Sequence, residues 1–207
     1  MLGIHDYGLF LASAILLNIA PGQDTLYILG RSIGQGRRIG VYSALGVSAG
    51  TLVHTVAAAL GLSAIVAASA TAFLVVKLAG AAYLVWLGVR ALMAPALVMP
   101  APASSAGAGK AFRQGLLSNV LNPKVALFFL AFLPQFVAVG STAKTSAFFI
   151  LGLTFVTTGT IWVLVLAAAA ARVRGVLTER PRVQAWISRA MGSLFVFLGL
   201  RLAVSER

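Results

Sequence analysis

Six apolar runs, each close to the ~20 residues a helix needs to cross a bilayer, divide this 207-residue chain. They lie at about Tyr7–Leu29, Val41–Ala68, Ala72–Met93, Gly115–Val137, Ser146–Ala171 and Ala185–Ala203. The sixth is the shortest, and the second is long enough to tilt. The sequence therefore predicts an all-α polytopic membrane protein with six transmembrane helices. With 60% hydrophobic and only 10% charged residues, no stretch is left over for a soluble domain. One membrane domain is expected over residues 1–207.

Basic residues alternate between the links. Arg31, Arg37 and Arg38 lie between runs one and two; Arg90, Lys110 and Arg113 between three and four; Arg172, Arg174, Arg180 and Arg182 between five and six. The opposite side holds only Lys144, with Arg201 and Arg207 at the C-terminal end. A bias of ten to three places both termini outside by the positive-inside rule. A net charge of +12 would suggest nucleic acid in a soluble protein. Here orientation in the lipid bilayer accounts for it, and no nucleic-acid partner is expected. Met1–Tyr7 contains no Lys or Arg, so it lacks a cleavable signal's basic region and the first span is expected to be retained. There are no cysteines, which excludes disulfide and thiol chemistry.

The two halves echo each other. Leu87-Gly88-Val89-Arg90 matches Leu198-Gly199-Leu200-Arg201, Gly50-Thr51 matches Gly159-Thr160, and Asn18 with Pro21 matches Asn119 with Pro123, in one common order. Two repeats are expected, about 1–93 and 115–207, joined by a cytoplasmic linker of about 94–114 that opens with the Pro/Ala/Ser-rich stretch Ala94–Gly109. Three spans per repeat require the second to be inverted, as in many secondary transporters with a midplane site.

Asn18-Ile19-Ala20-Pro21-Gly22-Gln23-Asp24-Thr25 interrupts the first run. Proline removes a backbone donor, and unsatisfied backbone groups in hydrocarbon cost several kcal/mol each. A break beside a carboxylate therefore predicts a lined cavity. Asp24 is the one acid within the six runs. It is read as a substrate or proton residue, against a structural ion pair or a helix N-cap. Lys124 follows Asn122-Pro123 in the fourth run. Its depth differs from that of Asp24 by only ~6 Å at ~1.5 Å per residue. A direct pair, a substrate bridge and snorkelling all stay open for it. Asn18, Asn119 and Asn122 are candidates to bind ligand or to satisfy the broken backbone. Lys77, near the outer end of run three, fits snorkelling or the pathway. His54, on a face with Gly46 and Gly50, fits a cross-helix hydrogen bond or a proton relay. Gly46-x-x-x-Gly50 reads as close helix packing.

Other chemistries fit poorly. One His and one Asp in the spans cannot build a usual metal cage. The spans hold neither a second acid nor a His-Glu helix motif for hydrolysis. Gly-rich phosphate loops are absent, so neither a cofactor nor ATP drive is expected.

Asn18-x-x-Pro21-Gly22-x-Asp24 is followed by Ser32-x-Gly34-Gln35-Gly36-Arg37-Arg38-x-Gly40, Gly46-x-x-x-Gly50-x-x-x-His54, Lys77-Leu78-Ala79-Gly80-Ala81-Ala82-Tyr83-Leu84 and Asn122-Pro123-Lys124. In this order the motifs resemble the LysE/RhtB-type amino-acid exporters, the family of lysine exporters and homoserine/threonine resistance translocators. Each motif is weak alone; the ordered set is specific and spans essentially the whole chain. Gln23 departs from the family, which often has a second proline there. The resemblance implies efflux of amino acids or related small metabolites across the bacterial inner membrane, driven by the proton or potential gradient. Candidate pathway residues are then Asn18, Pro21, Gly22, Asp24, His54, Lys77, Asn119, Asn122, Pro123 and Lys124. A homo-oligomer is open. The alternatives are a toxic-cation or metal exporter, or a non-transporting membrane scaffold. The scarcity of in-span acids favours neutral amino acids over lysine or arginine.

Overall fold

The computed structural model describes residues 2–62, 70–93, 106–138, 140–170 and 181–204. The described residues form eight helices and no sheet. They are α1 (Tyr7–Ile19), α2 (Gln23–Gln35), α3 (Arg37–Ala57), α4 (Ala70–Met93), α5 (Ala108–Val120), α6 (Pro123–Leu127), α7 (Lys144–Ala168) and α8 (Pro181–Val204). A π turn, Ala58–Leu62, continues α3. A second, Phe128–Phe132, continues α6 and passes into a 3₁₀ turn, Leu133–Phe136.

Two stretches, Arg37–Gly61 and Lys144–Ala168, are unbroken helices long and apolar enough to cross a membrane. Two more meet the same test only as bent pairs. α1 and α2 meet at 47°, and α5 meets the α6 segment ending at Phe136 at 46°. The first bend falls at the break read beside Asn18 and Pro21, and the second beside Asn119 and Pro123, the pair that echoes them in the other half.

Several expected boundaries move. α5 begins at Ala108, so the last seven residues assigned to the linker are helical. Ala111 and Gly115 are buried there, and Tyr27 Oη donates to Ala111 O at 2.7 Å. Arg31, read as a link residue, is a buried part of α2; it donates to Gln114 Oε1 and its guanidinium lies 5.6 Å from the Tyr27 ring centre. The end of run two after Leu62, linker residues 94–105, and Arg172, Arg174, Arg180 and Arg207 lie outside the described residues.

Small residues set the closest packing. A Cβ at Gly46 would overlap Phe112 O, and one at Gly50 would strike Leu116 O and Asn119. α3 and α5 therefore touch backbone to backbone, as the Gly46-x-x-x-Gly50 spacing predicts. α4 and α8 lie antiparallel in the same way: Gly88 sits against Gly192 O, and Gly199 against Ala81 O. Beyond the second break, phenylalanines fill the core. Phe128 meets Phe155 at 4.8 Å and Phe132 at 5.0 Å; Phe136 meets Phe132 at 4.9 Å and Phe10 at 5.2 Å. The N-terminal segment closes over that end. His5 N donates to Phe136 O, and Ala138 N to Gly3 O.

Candidate functional site

The first break exposes carbonyls. α1 ends with Ala20 N donating to Leu16 O. Pro21 then offers no N–H, and Gly22 is extended at φ −157°, ψ −166°. The Leu17 and Ala20 carbonyls accept from Lys124 Nζ instead, at 3.2 and 3.1 Å. The ammonium thus sits at the C-terminal, negative end of α1. Gly22 lies beside it: a Cβ there would meet Nζ at 3.4 Å, an ordinary van der Waals contact. Asp24 sits in the first turn of α2, at the positive end of that helix. It is not the N-cap; Gly22 is, with no side-chain cap bond.

The second break supplies donors. Asn122 caps α6, its Oδ1 accepting from Lys124 N at 3.0 Å, with Pro123 next in the chain. An Asn cap followed by proline is a favoured helix start, because proline's missing N–H is not needed there. The remaining amide of Asn122 donates to Asp24 Oδ2 at 2.9 Å, and Asn119 Nδ2 donates to the same oxygen at 2.8 Å. Ser118 Oγ donates to Asp24 Oδ1 at 3.0 Å. Three donors and a helix N-terminus therefore hold the carboxylate with no cation in direct salt-bridge contact among the described residues.

Each break holds the charge carried by the other. The second delivers Lys124 to the end of α1, and the first delivers Asp24 to the donors around Asn122. The two side chains make no direct ion pair, so that expected option is not the one adopted. Both line a small cavity of about 40 Å³, with Asn18, Thr51, Asn119 and Phe155. That is room for about one or two waters. On the other side of Gly22 and Lys124 lies an open vestibule of about 730 Å³, walled by Tyr83, Trp86, Arg90 and Phe195.

Most of the other expected residues gather here. Asn18 lines the cavity and donates to Thr158 Oγ1 at 3.0 Å. His54 Nε2 is 3.1 Å from Asn119 O, and its ring stacks on Phe129 at 5.8 Å. Pro21 and Pro123 line the vestibule. Lys77 stands apart. It is buried at 7% exposure and lines neither space.

Three polar partners escaped the sequence reading. Ser118 holds Asp24; Thr51 Oγ1 donates to Asn119 Oδ1 at 3.2 Å; and Gln23 Nε2 donates to Ser118 Oγ at 3.2 Å. Ser118 and Asn119 stand four and three residues before Asn122. That close spacing, with Ser118 and Asn119 in the last turn of α5 and Asn122 capping α6, was the available signal. Among the described residues no cluster of three His, Cys, Asp or Glu side chains could hold a metal.

Known proteins resemble this chain over nearly its whole length. The model of the LysE type translocator family matches residues 15–206. The chain is 31% identical to an uncharacterized membrane protein of Vibrio cholerae over 204 residues, 98% of each chain. It is 31% identical to the homoserine/homoserine lactone efflux protein of Salmonella typhimurium over 195 residues, 94% of each. With the leucine efflux protein of Salmonella choleraesuis it shares 29% identity over 206 residues, 99% of this chain and 97% of the relative. No solved structure matches it. A polytopic helical chain with two broken helices, matched over nearly its whole length, belongs to the LysE type translocator family.

Proposed function

We propose that this chain is a secondary transporter that exports a neutral amino acid from the cytoplasm across the bacterial inner membrane. The observation that carries this reading is the crossed arrangement at the breaks, where Lys124 rests on the carbonyls of Leu17 and Ala20 and Asp24 on the donors of Ser118, Asn119 and Asn122. An amino acid brings one carboxylate and one ammonium. Lys124 suits the first and Asp24 the second once the cavity between them widens beyond the one or two waters it has room for here, and both lie where exposed backbone can complete the binding. Asn18, Thr51 and the His54–Asn119 contact shape the same cavity. The relatives' names, homoserine and leucine efflux, point to the same substrate class.

In this reading the two bent pairs belong to two inverted repeats of three spans, about 1–93 and 115–207, with α4 and α8 as the third span of each. Both termini lie outside. The vestibule then opens to the cytoplasm, and the phenylalanine core closes the outer side. Export is driven by the proton or potential gradient. Cells loaded with radiolabelled leucine, homoserine or threonine test the reading. Those expressing the protein lose label faster than cells with an empty vector. Equal loss for every amino acid tried, at verified membrane expression, overturns it.

A further inference from the structure

The vestibule carries a chemistry that the Asp24–Lys124 cavity does not. Its two charged side chains among the described residues are Arg90 and Lys124, both cationic; Asp24 lies behind Lys124. Arg90 has no hydrogen-bond or ion-pair partner among the described residues. Its guanidinium stacks over the Trp86 ring, 5.1 Å from the centre. Stacking uses the face of the guanidinium and leaves the N–H fork at its edge free, in the geometry that grips a carboxylate with two bonds. Tyr83 packs on Trp86 with ring centres 5.2 Å apart, and Phe195 faces the same space. A volume of about 730 Å³ lies in the range of small-ligand sites. At its inner end, Lys124 donates to two carbonyls, which leaves a third ammonium N–H.

We propose that Arg90 and Trp86 form a capture site that takes the carboxylate of an apolar amino acid before Lys124 receives it. This rests on the export reading above and adds a specificity to it. The free carboxylate is recognised first by the Arg90 fork, and the apolar side chain lies against the Trp86–Tyr83 wall. The ammonium reaches Asp24 only after the Gly22–Lys124 partition is passed. Substrates whose carboxylate is masked enter poorly, and large apolar side chains gain more from the wall than small ones.

The full chain, reconstituted into proteoliposomes, tests this with radiolabelled leucine and with leucinamide, which lacks the anionic group. Arg90→Gln is expected to raise the leucine KM about ten-fold or more, as loss of a charge-assisted bond implies, with kcat near wild type. The wild-type preference for leucine over leucinamide should shrink by the same factor. Arg90→Lys keeps the charge without the fork and should recover only part of it; it also separates recognition from a folding or insertion defect. Trp86→Ala should raise the KM for leucine more than for alanine. An unchanged leucine-to-leucinamide ratio in Arg90→Gln, beside active wild-type protein, overturns the capture site and leaves the export reading standing. Wild-type protein that moves no amino acid overturns the export reading itself. The headgroup of a net-anionic lipid is the other anion Arg90 could meet. An Arg90 effect seen in vesicles with anionic lipid but absent in purely zwitterionic vesicles assigns the residue to lipid and overturns the proposal.

Discussion

Asn122 and Asp24 are joined across the two broken helices. One half of the Asn122 amide starts α6 by accepting from Lys124 N, and the other half donates to Asp24 Oδ2 at 2.9 Å. A single side chain thus starts the helix after the second break and supplies one of the three donors that hold the carboxylate. Asn122→Ala loses a cap worth about 1 kcal/mol and a bond to a charged group worth about 1.5–3 kcal/mol. The purified protein should melt several degrees lower and export little. Asn122→Asp keeps a capping oxygen but sets a second carboxylate against the first, and should also stop export. Thermal melting and efflux measured on the same preparations check both. Wild-type efflux by Asn122→Ala would show the bond to be idle.

Asp24→Asn separates charge from hydrogen bonding. The substitution keeps size and leaves an amide oxygen for Ser118, Asn119 or Asn122. Because Lys124 rests on backbone carbonyls and not on Asp24, the variant should insert at wild-type levels while efflux is lost. Lys124→Met should not restore transport. Immunoblots of membrane fractions beside radiolabel efflux decide this. Low expression rescued by Lys124→Met would assign Asp24 to charge balance, and full efflux at normal expression would sink its role in transport.

Replacing Pro21 and Gly22 together with alanine should restore a continuous helix. Alanine suits a helix better than proline by about 3 kcal/mol and glycine by about 1 kcal/mol. The carbonyls of Leu17 and Ala20 would then turn to helix N–H groups, and Lys124 would lose both acceptors. The expected protein reaches the membrane but does not export. Efflux equal to wild type would mean that the bend serves packing alone.

Orientation is checked by fusing a reporter active only in the periplasm after Arg207. The basic bias of the links predicts activity, although Arg201 and Arg207 pull the other way. Activity only from a cytoplasmic reporter at this position would reverse the assignment of the vestibule to the cytoplasmic side.

Hydrophobicity and proline made the helices and both breaks legible, because in lipid each leaves a backbone consequence. The start of α5 was hidden. Ala108–Gln114 contains Lys110, Arg113 and Gln114 and has no apolar run; its helix is held by neighbours, through Tyr27 on Ala111 and Gly115 against Ser43 O. Asp24 and Lys124 stood out as charges in apolar sequence, but their partners did not. Lys124 is satisfied by carbonyls of Leu17 and Ala20, which every residue carries, so no residue type marks them. Arg31 looked like a link residue because only the fold brings Gln114 to it.

The phenylalanine column has a consequence for leakage. From Phe155 beside the small cavity, rings follow one another through Phe128, Phe132 and Phe136 to Phe10 under the N-terminal segment. Their side chains offer nothing for a water molecule to hydrogen-bond, and hydrophobic constrictions dewet. A proton travels through a membrane protein along hydrogen-bonded groups or water. Under the export reading proposed above, a column packed in this way interrupts that path and keeps the cell's ion gradient from leaking while the carrier waits for cargo.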